Sequence, residues 1–368
     1  MVAVVAGLLF TNTMFLAVPP HSSSVSWSSL RGVNYYWTTV RDPNRPELVA
    51  PPPSISFPEI RQNGWNLIRV VLHWNDYAAN STEFISNIQE IASYAQQNGL
   101  YIVWDLIHQA GTSSQYTYDG QVGEGFPIFL TAPYATPKSF WAAWWSNQTS
   151  FDGNNGWSMA LAYDMQVVRA VDNYSSTLGY EILNEPPIWS SNSSSDVASF
   201  NLQGMAAFNT YIASAIRTYS TKTIIFMKPY FHPDIDPSCI LPSPSCLLLV
   251  APRGVSNLAL DYHQYNYFNS TVASYYQQFS LANKIPILLG EFGPCSRLNA
   301  SCPTSESSVI QGIQEAISTA HSDGWAWCYW AWREGRTGPP WQSLLNSTGS
   351  QWWLDREIIQ IQIQVYGK

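Results

Sequence analysis

The sequence predicts an α/β fold, a single (β/α)8 barrel, from three features. Eight short runs rich in β-branched and aromatic residues recur along the 368-residue chain, most of them separated by segments with apolar residues at helical spacing. Strand and helix in alternation point to a parallel sheet, and eight such units at this length point to a sheet closed on itself. The long irregular stretches, 37–57, 108–138, 187–197, 230–256 and 294–306, each follow a strand and precede a helix. The reverse connections are short, as at Asn98-Gly99 and Ser322-Asp323-Gly324. A barrel gathers such long βα loops on its C-terminal face. Neither an internal repeat nor a linker to a second domain interrupts the pattern.

Taken in order, the chain opens on residues 2–18, apolar apart from Thr11-Asn12-Thr13 and followed by Pro19-Pro20 and a Ser-rich stretch. A signal peptide or N-terminal anchor is expected over 1–24, with the barrel occupying 25–368. The predicted strands are 30–36, 67–72, 100–107, 178–183, 223–227, 258–263, 286–289 and 325–329. Residues 82–97, 198–218 and 308–321 carry the helical spacing. Two places resist the scheme. No convincing helix lies between the fifth and sixth strands, and the tail 357–366 alternates Ile and Gln with a strand's period where a final helix is due.

With 46 % apolar residues and 17 Trp the chain can bury a large core, while its charged fraction of 11 % is well below the roughly 25 % of ordinary soluble chains. A net charge of −8 without any Lys/Arg-rich run disfavours nucleic acid as a partner. A neutral, hydroxyl-rich ligand such as a sugar suits this composition better. A surface with so few carboxylates loses little when they protonate, so the protein is expected to tolerate acid. Cys239 and Cys246 are spaced like Cys295 and Cys302, and Cys328 lies in an apolar strand. Two loop-closing disulfides plus one buried thiol is the economical arrangement, and it implies an oxidising compartment. Asn-x-Ser/Thr triplets begin at Asn80, Asn147, Asn173, Asn192, Asn269, Asn299 and Asn346. Together these features predict a secreted, extracellular glycoprotein, anchored at the cell surface if the leader is retained. The six His are scattered, without metal-ligand spacing, and no phosphate loop is present, so neither metal nor cofactor is expected.

The chemistry concentrates in Leu178-Gly179-Tyr180-Glu181-Ile182-Leu183-Asn184-Glu185-Pro186, an apolar strand whose last residues are polar. Simple alternation sets Glu181, Leu183 and Glu185 on one side and Asn184 on the other. A carboxylate at the end of such a strand is costly to bury unless it is paired or used. A second one, Glu291, closes Pro286-Ile287-Leu288-Leu289-Gly290. Cleavage of a glycosidic bond needs two carboxyl groups of this kind, one to protonate the leaving oxygen and one to attack or to activate water.

Asn184-Glu185-Pro186, His263-Gln264-Tyr265 and Gly290-Glu291-Phe292-Gly293 at strand ends, in this order, resemble glycoside hydrolase family 5, the cellulase family of clan A. The resemblance runs from Arg31-Gly32-Val33-Asn34 to Trp332 and touches strands one to four and six to eight. It implies a TIM barrel whose long loops line the catalytic face, and a cofactor-free retaining β-glycosidase with Glu185 as acid/base and Glu291 as nucleophile. Arg69 would hold Glu291 ionised, and Tyr265 would donate a hydrogen bond to the same carboxylate. His263 would sit near Glu185, Asn184 would meet a substrate 2-hydroxyl, His108 would bind sugar hydroxyls, and Trp330 would stack on a sugar ring. Plainer readings exist: Arg69 and Glu181 as a structural ion pair, His108 as an ordinary hydrogen bonder, and Trp327 and Trp332 as a mix of core and surface. Glu181 reads as structural. An endo-β-glucanase acting on poly- or oligosaccharides is the expected type, with β-mannanase as an alternative. His108-Gln109, Gly123-Glu124-Gly125-Phe126-Pro127 and Phe140-Trp141 are similar to glycosylceramidase-type members that act on a glycolipid headgroup, although Ala110 stands where their aspartate is expected. Outside enzymes, the alternative is an inactive carbohydrate-binding barrel. The whole reading requires the two carboxyl groups to face each other about 5 Å apart.

Overall fold

The computed structural model describes residues 25–36, 51–118, 121–188, 195–231, 244–265, 268–293, 306–332 and 353–367. Eight strands, β1 (Arg31–Tyr36), β2 (Leu67–Val71), β3 (Tyr101–Asp105), β4 (Thr177–Glu181), β5 (Thr223–Met227), β6 (Leu258–Tyr265), β7 (Ile287–Gly293) and β8 (Ala326–Tyr329), close into a barrel. Every neighbouring pair is parallel, and β8 returns to pair with β1. A helix follows each strand: α1 (Pro53–Gln62), α2 (Ser81–Gln97), α3 (Gly156–Val171), α4 (Ser195–Arg217), α5 (Pro244–Val250), α6 (Ser270–Asn283), α7 (Glu306–Ser322) and α8 (Trp353–Tyr366). The expected (β/α)8 barrel is therefore the fold.

Local sequence explains the elements. β5, and β2 apart from Arg69, are largely apolar runs buried along their whole length, as strands covered on both faces must be. In α2, Phe84, Ile88, Ile91, Ala92 and Ala95 form one buried stripe, and Asn80 caps the helix by accepting from the Glu83 N–H at 3.2 Å. Asn269 caps α6 in the same way through Val272. The polar residues that end β6 and β7 still pair, His263 with Glu291 and Tyr265 with Gly293, so both strands run further than their apolar cores suggest.

Both doubtful places turn out helical. Between β5 and β6, α5 is seven residues long and begins within the Pro- and Cys-containing stretch, too short for its period to show. It is anchored by Leu247 and Val250, while Leu248 and Leu249 are exposed. In α8 the Ile/Gln alternation also satisfies a helical face: Ile358, Ile361 and Gln362 are buried and Val365 is half-buried, while Gln360 and Ile363 face solvent. Gln362 tolerates burial because its Oε1 accepts from the Trp65 indole N–H.

Leu30, Leu67, Val103, Ile225, Ala259, Leu288, Ala326 and Cys328 fill the barrel beneath its mouth, so Cys328 is a buried free thiol. A second apolar mass, mostly aromatic, supports the connection from β3 to β4. Phe126 packs edge-on against Phe140, Trp141 and Trp144, and Trp144 packs against Phe208 of α4. The indole of Trp141 donates to Thr112 Oγ1 at 2.8 Å and that of Trp145 to the Pro187 carbonyl at 2.9 Å, which ties this mass to the loops leaving β3 and β4. Residues 1–24, Cys239, Cys295 and Cys302 lie outside the described residues, and of Cys246 only its place in α5 is described. Among the described residues no helix is long and apolar enough to cross a membrane.

Asp164 of α3 is fully buried and neither carboxylate oxygen has a hydrogen-bond partner. Burial holds its pKa well above the ordinary carboxylate value. The folded protein therefore keeps a proton that the unfolded chain releases near pH 3.8, and stability drains away as pH rises from there towards the raised folded value. Asp164→Asn is expected to melt about 3 °C or more above wild type at pH 7 and level with it near pH 3. Thermal unfolding of both proteins across that range checks this; an equal gap at both pH values would contradict it.

Candidate active site

The C-terminal ends of the strands converge on one guanidinium. Arg69 of β2 is fully buried and donates through Nε and Nη2 to the Glu181 carboxylate at 2.6 and 2.9 Å. Its Nη1 donates to Asn34 Oδ1 and to Glu291 Oε1, both at 2.9 Å, and Nη2 to Asn184 Oδ1 at 2.8 Å. Asp105 and Asp261 each bring a carboxylate oxygen to it, at 3.0 and 3.5 Å. Burial alone would lower its pKa, but Asp105, Glu181 and Glu291 raise it well above the usual value. Glu181 is pushed up by burial, and Arg69 opposes that only in part. Glu181 is thus both the ion-pair partner and the structural residue expected.

β4 ends at Glu181, and the alternation read from sequence ends with it. Glu185 has φ of 40°, in the left-handed region, its N–H meets Met227 Sδ at 2.9 Å, and its carbonyl accepts from Gln109 Nε2 at 2.5 Å. The chain turns there, so Asn184 and Glu185 do not fall on opposite sides. Asn184 reaches Arg69, and Glu185 reaches His263 Nδ1 at 2.9 Å. Glu291 of β7 is held at both oxygens, Oε1 by Arg69 and Oε2 by the Tyr265 hydroxyl at 2.5 Å. His263 Nδ1 also lies 3.5 Å from Glu291 Oε2. Carboxylate oxygens of Glu185 and Glu291 lie within 4.8 Å of each other.

Burial disfavours a charged His263, yet Glu291, Asp261 and the bond to Glu185 bring its pKa up to about 10. Burial likewise pushes Glu185 up, but its hydrogen bond and charge interaction with His263 outweigh that and leave it lowered. Both shifts favour the charged forms, an imidazolium facing the Glu185 carboxylate.

Beside this pair, the Trp330 ring stacks on His108 at 5.4 Å and 8°, and His108 Nδ1 is 2.6 Å from Asp105 Oδ2. One face of Trp330 is thus taken by His108. Trp330 is partly exposed, whereas Trp327 and Trp332 are wholly core. Behind His108 stand His73 and Tyr36, whose hydroxyl donates to Glu124 Oε2 at 2.5 Å; His73 Nε2 lies 3.8 Å from the same oxygen. Glu124 is brought there by backbone pairing with Ala110. Among the described residues two groups offer cation ligands, Glu185–His263–Glu291 and, deeper, Glu181–Asp261–His263. The Arg69 charge, in contact with acidic members of both, opposes a metal at either.

A family model for cellulase (glycosyl hydrolase family 5) matches residues 55–336. The chain belongs to glycosyl hydrolase family 5. No curated protein matches it in sequence. Among solved structures, endo-glycoceramidase II from Rhodococcus sp., as its lactosyl-enzyme intermediate, is similar with a TM-score of 0.63 and 16 % identity over 89 % of this chain and 78 % of that one. An endogalactoceramidase gives 0.65 and 17 % over 90 % and 80 %. Cellulose synthase subunit Z from Clostridioides difficile gives 0.54 and 17 % over 91 % and 99 %. At such identities the likeness shows the fold alone.

In this family 5 barrel, Arg69, His108, Asn184, Glu185, His263, Tyr265, Glu291 and Trp330 all lie at one mouth, linked by the contacts above. Sequence reasoning passed over Asn34, Asp105 and Asp261 as members of the site, and Tyr36 and His73 with them; Glu124 was noticed only as part of the Gly123–Pro127 motif. A polar residue interrupting an apolar strand was the available signal for the first three.

Proposed function

We propose that this family 5 hydrolase is a retaining β-glycosidase with Glu185 as acid/base and Glu291 as nucleophile. The observation that supports it most is the closeness of the two carboxylates, an oxygen of each within 4.8 Å of the other, which suits the short gap of retaining enzymes rather than the wider gap of inverting ones. Arg69 and Tyr265 hold one oxygen each of Glu291, so the nucleophile is aimed. Glu185 delivers a proton to the leaving oxygen as Glu291 forms the glycosyl ester. Glu185 then takes a proton from the water that breaks the ester. Asn184 Oδ1 accepts from Arg69 and its amide nitrogen donates to the Gln109 carbonyl at 3.5 Å, which leaves one N–H for a substrate 2-hydroxyl. The exposed part of the Trp330 ring receives a sugar ring.

β-Glucosidic bonds of the endo-β-glucanase type are the first substrate reading. A glycolipid headgroup is the second, favoured by the likeness to structures titled endo-glycoceramidase and endogalactoceramidase. Export is proposed on the leader, the Cys pairs and the sequons; Asn80, Asn147, Asn173 and Asn269 are all exposed, as a glycan requires.

Turnover of aryl β-glucosides, cellulose, laminarin, mannan and glucosylceramide by wild type separates these substrates. Glu185→Ala is expected to slow glycosides with poor leaving groups by about 10³-fold and 2,4-dinitrophenyl glycosides far less. Equal losses on both would deny Glu185 its acid role, and a wild type inert on the whole panel would leave a carbohydrate-binding barrel.

A further inference from the structure

We infer that Asp261 is the positioning residue that sets the gap between the two carboxyl groups, reaching one through the backbone of the nucleophile's strand and the other through His263. This rests on the roles proposed for Glu185 and Glu291.

β6 and β7 fall out of register near the nucleophile. β6 and β7 pair as Tyr262 with Leu289 and then as His263 with Glu291, so Gly290 is an extra residue on β7. Pairing of β7 with β8 shifts across the same point. Leu288 points into the barrel with Ala259 and Ala326. Unbroken alternation from Leu288 would then put Gly290 and Phe292 inside and Glu291 outside. The bulge reverses this. Glu291 faces inward onto Arg69, and Phe292 packs outward against Trp327 and Tyr329, with ring centres 5.7 and 5.4 Å away.

A bulge frees peptide groups from the ladder, and side chains take both groups of Gly290. Its N–H donates to Asp261 Oδ1 at 2.9 Å, and its carbonyl accepts from Asn34 Nδ2 at 2.7 Å. A Cβ at Gly290 would lie 2.2 Å from both Asp261 oxygens, so the carboxylate occupies the space a side chain would need. The other oxygen, Oδ2, faces His263 Nε2 at 3.4 Å, and the far nitrogen of that ring is bonded to Glu185. His263 and Arg69 keep Asp261 ionised against the cost of burial. One carboxylate thus fixes the bulge that turns Glu291 inward and steadies the imidazole that holds Glu185.

Two small variants separate the two arms. Asp261→Ser removes the Gly290 bond; kcat for a 2,4-dinitrophenyl β-glucoside, whose departure needs no proton, is expected to fall about 100-fold with KM changed less than about threefold. Asp261→Asn keeps an oxygen for the Gly290 N–H but sets an amide against His263. Its rate on a phenyl β-glucoside is expected to fall about tenfold more than on the dinitrophenyl one, with a displaced pH–rate profile. Folded variants that match wild type on both substrates, or that lose one common factor on both with an unmoved pH profile, would overturn the inference while leaving the enzyme reading intact. If Asp261→Ser fails to fold, the leaving-group ratio of Asp261→Asn decides alone: a shift supports the role and no shift overturns it. A wild type inert on these glycosides and on the whole substrate panel would refute the reading of Glu185 and Glu291, and this role with it.

Discussion

Glu291→Ala is expected to lower kcat for an aryl β-glucoside on the order of 10⁵-fold while leaving the barrel folded. In the proposed mechanism the covalent step has no substitute for the carboxylate, so both halves of the double displacement would be lost together. Folding survives because Arg69 keeps Glu181, Asp105 and Asp261 as counter-charges when Glu291 goes. The truncation leaves a space bordered by two hydrogen-bond donors, the Arg69 guanidinium and the Tyr265 hydroxyl. A small anion fits that environment. Added azide should therefore restore turnover of a 2,4-dinitrophenyl glycoside and give a glycosyl azide of inverted configuration, readable by NMR. Failure of azide to rescue a folded variant, or a product of retained configuration, would remove Glu291 from the nucleophile's role.

Arg69→Met is expected to abolish folding at neutral pH. Deleting one partner of a buried ion pair costs about 3–5 kcal/mol, against a whole stability of about 5–15 kcal/mol for a typical domain. Here one cation serves four carboxylates, Asp105, Glu181, Asp261 and Glu291, each with an oxygen within 3.5 Å of it. Without it burial pushes Glu181 and Asp261 further towards their protonated forms, so stability would be present at low pH and lost as pH climbs. Circular dichroism should show the variant more structured at pH 4 than at pH 7. Arg69→Lys should not restore wild-type stability, because a single ammonium cannot reproduce a planar fork bonded to Glu181 at two points. A variant that melts with wild type at pH 7 would disprove the account.

The sequence made the barrel legible because eight apolar runs repeat with loops of unequal length on their two ends, a pattern that few other folds share. The two glutamates were legible for another reason: carboxylates ending apolar strands are conspicuous. The bulge at Gly290 was not, since period-two reasoning has no way to mark a residue that belongs to neither face. It misjudged Glu185 on the same ground, carrying strand geometry past Glu181, where the ladder had stopped. The tail misled because its Ile and Gln residues fit a strand's period and a helix's together, and only the surface it packs on chooses. Tyr36, His73 and Glu124 lie on three separate segments, and nothing local ties them together before the sheet closes.

The bridge between Ala110 and Glu124 has a bearing on how such a protein diversifies. The strands and their immediate ends carry the charged cluster around Arg69, whereas the wall around His108 and Trp330 is borrowed from a surface excursion stitched down by a little main-chain pairing and a plug of aromatic rings. Insertions, deletions and exchanges in that excursion can redraw the shape offered to a ligand without disturbing the charge lattice below. Lineages descended from this chain would then be expected to drift in appetite long before they drift in chemistry.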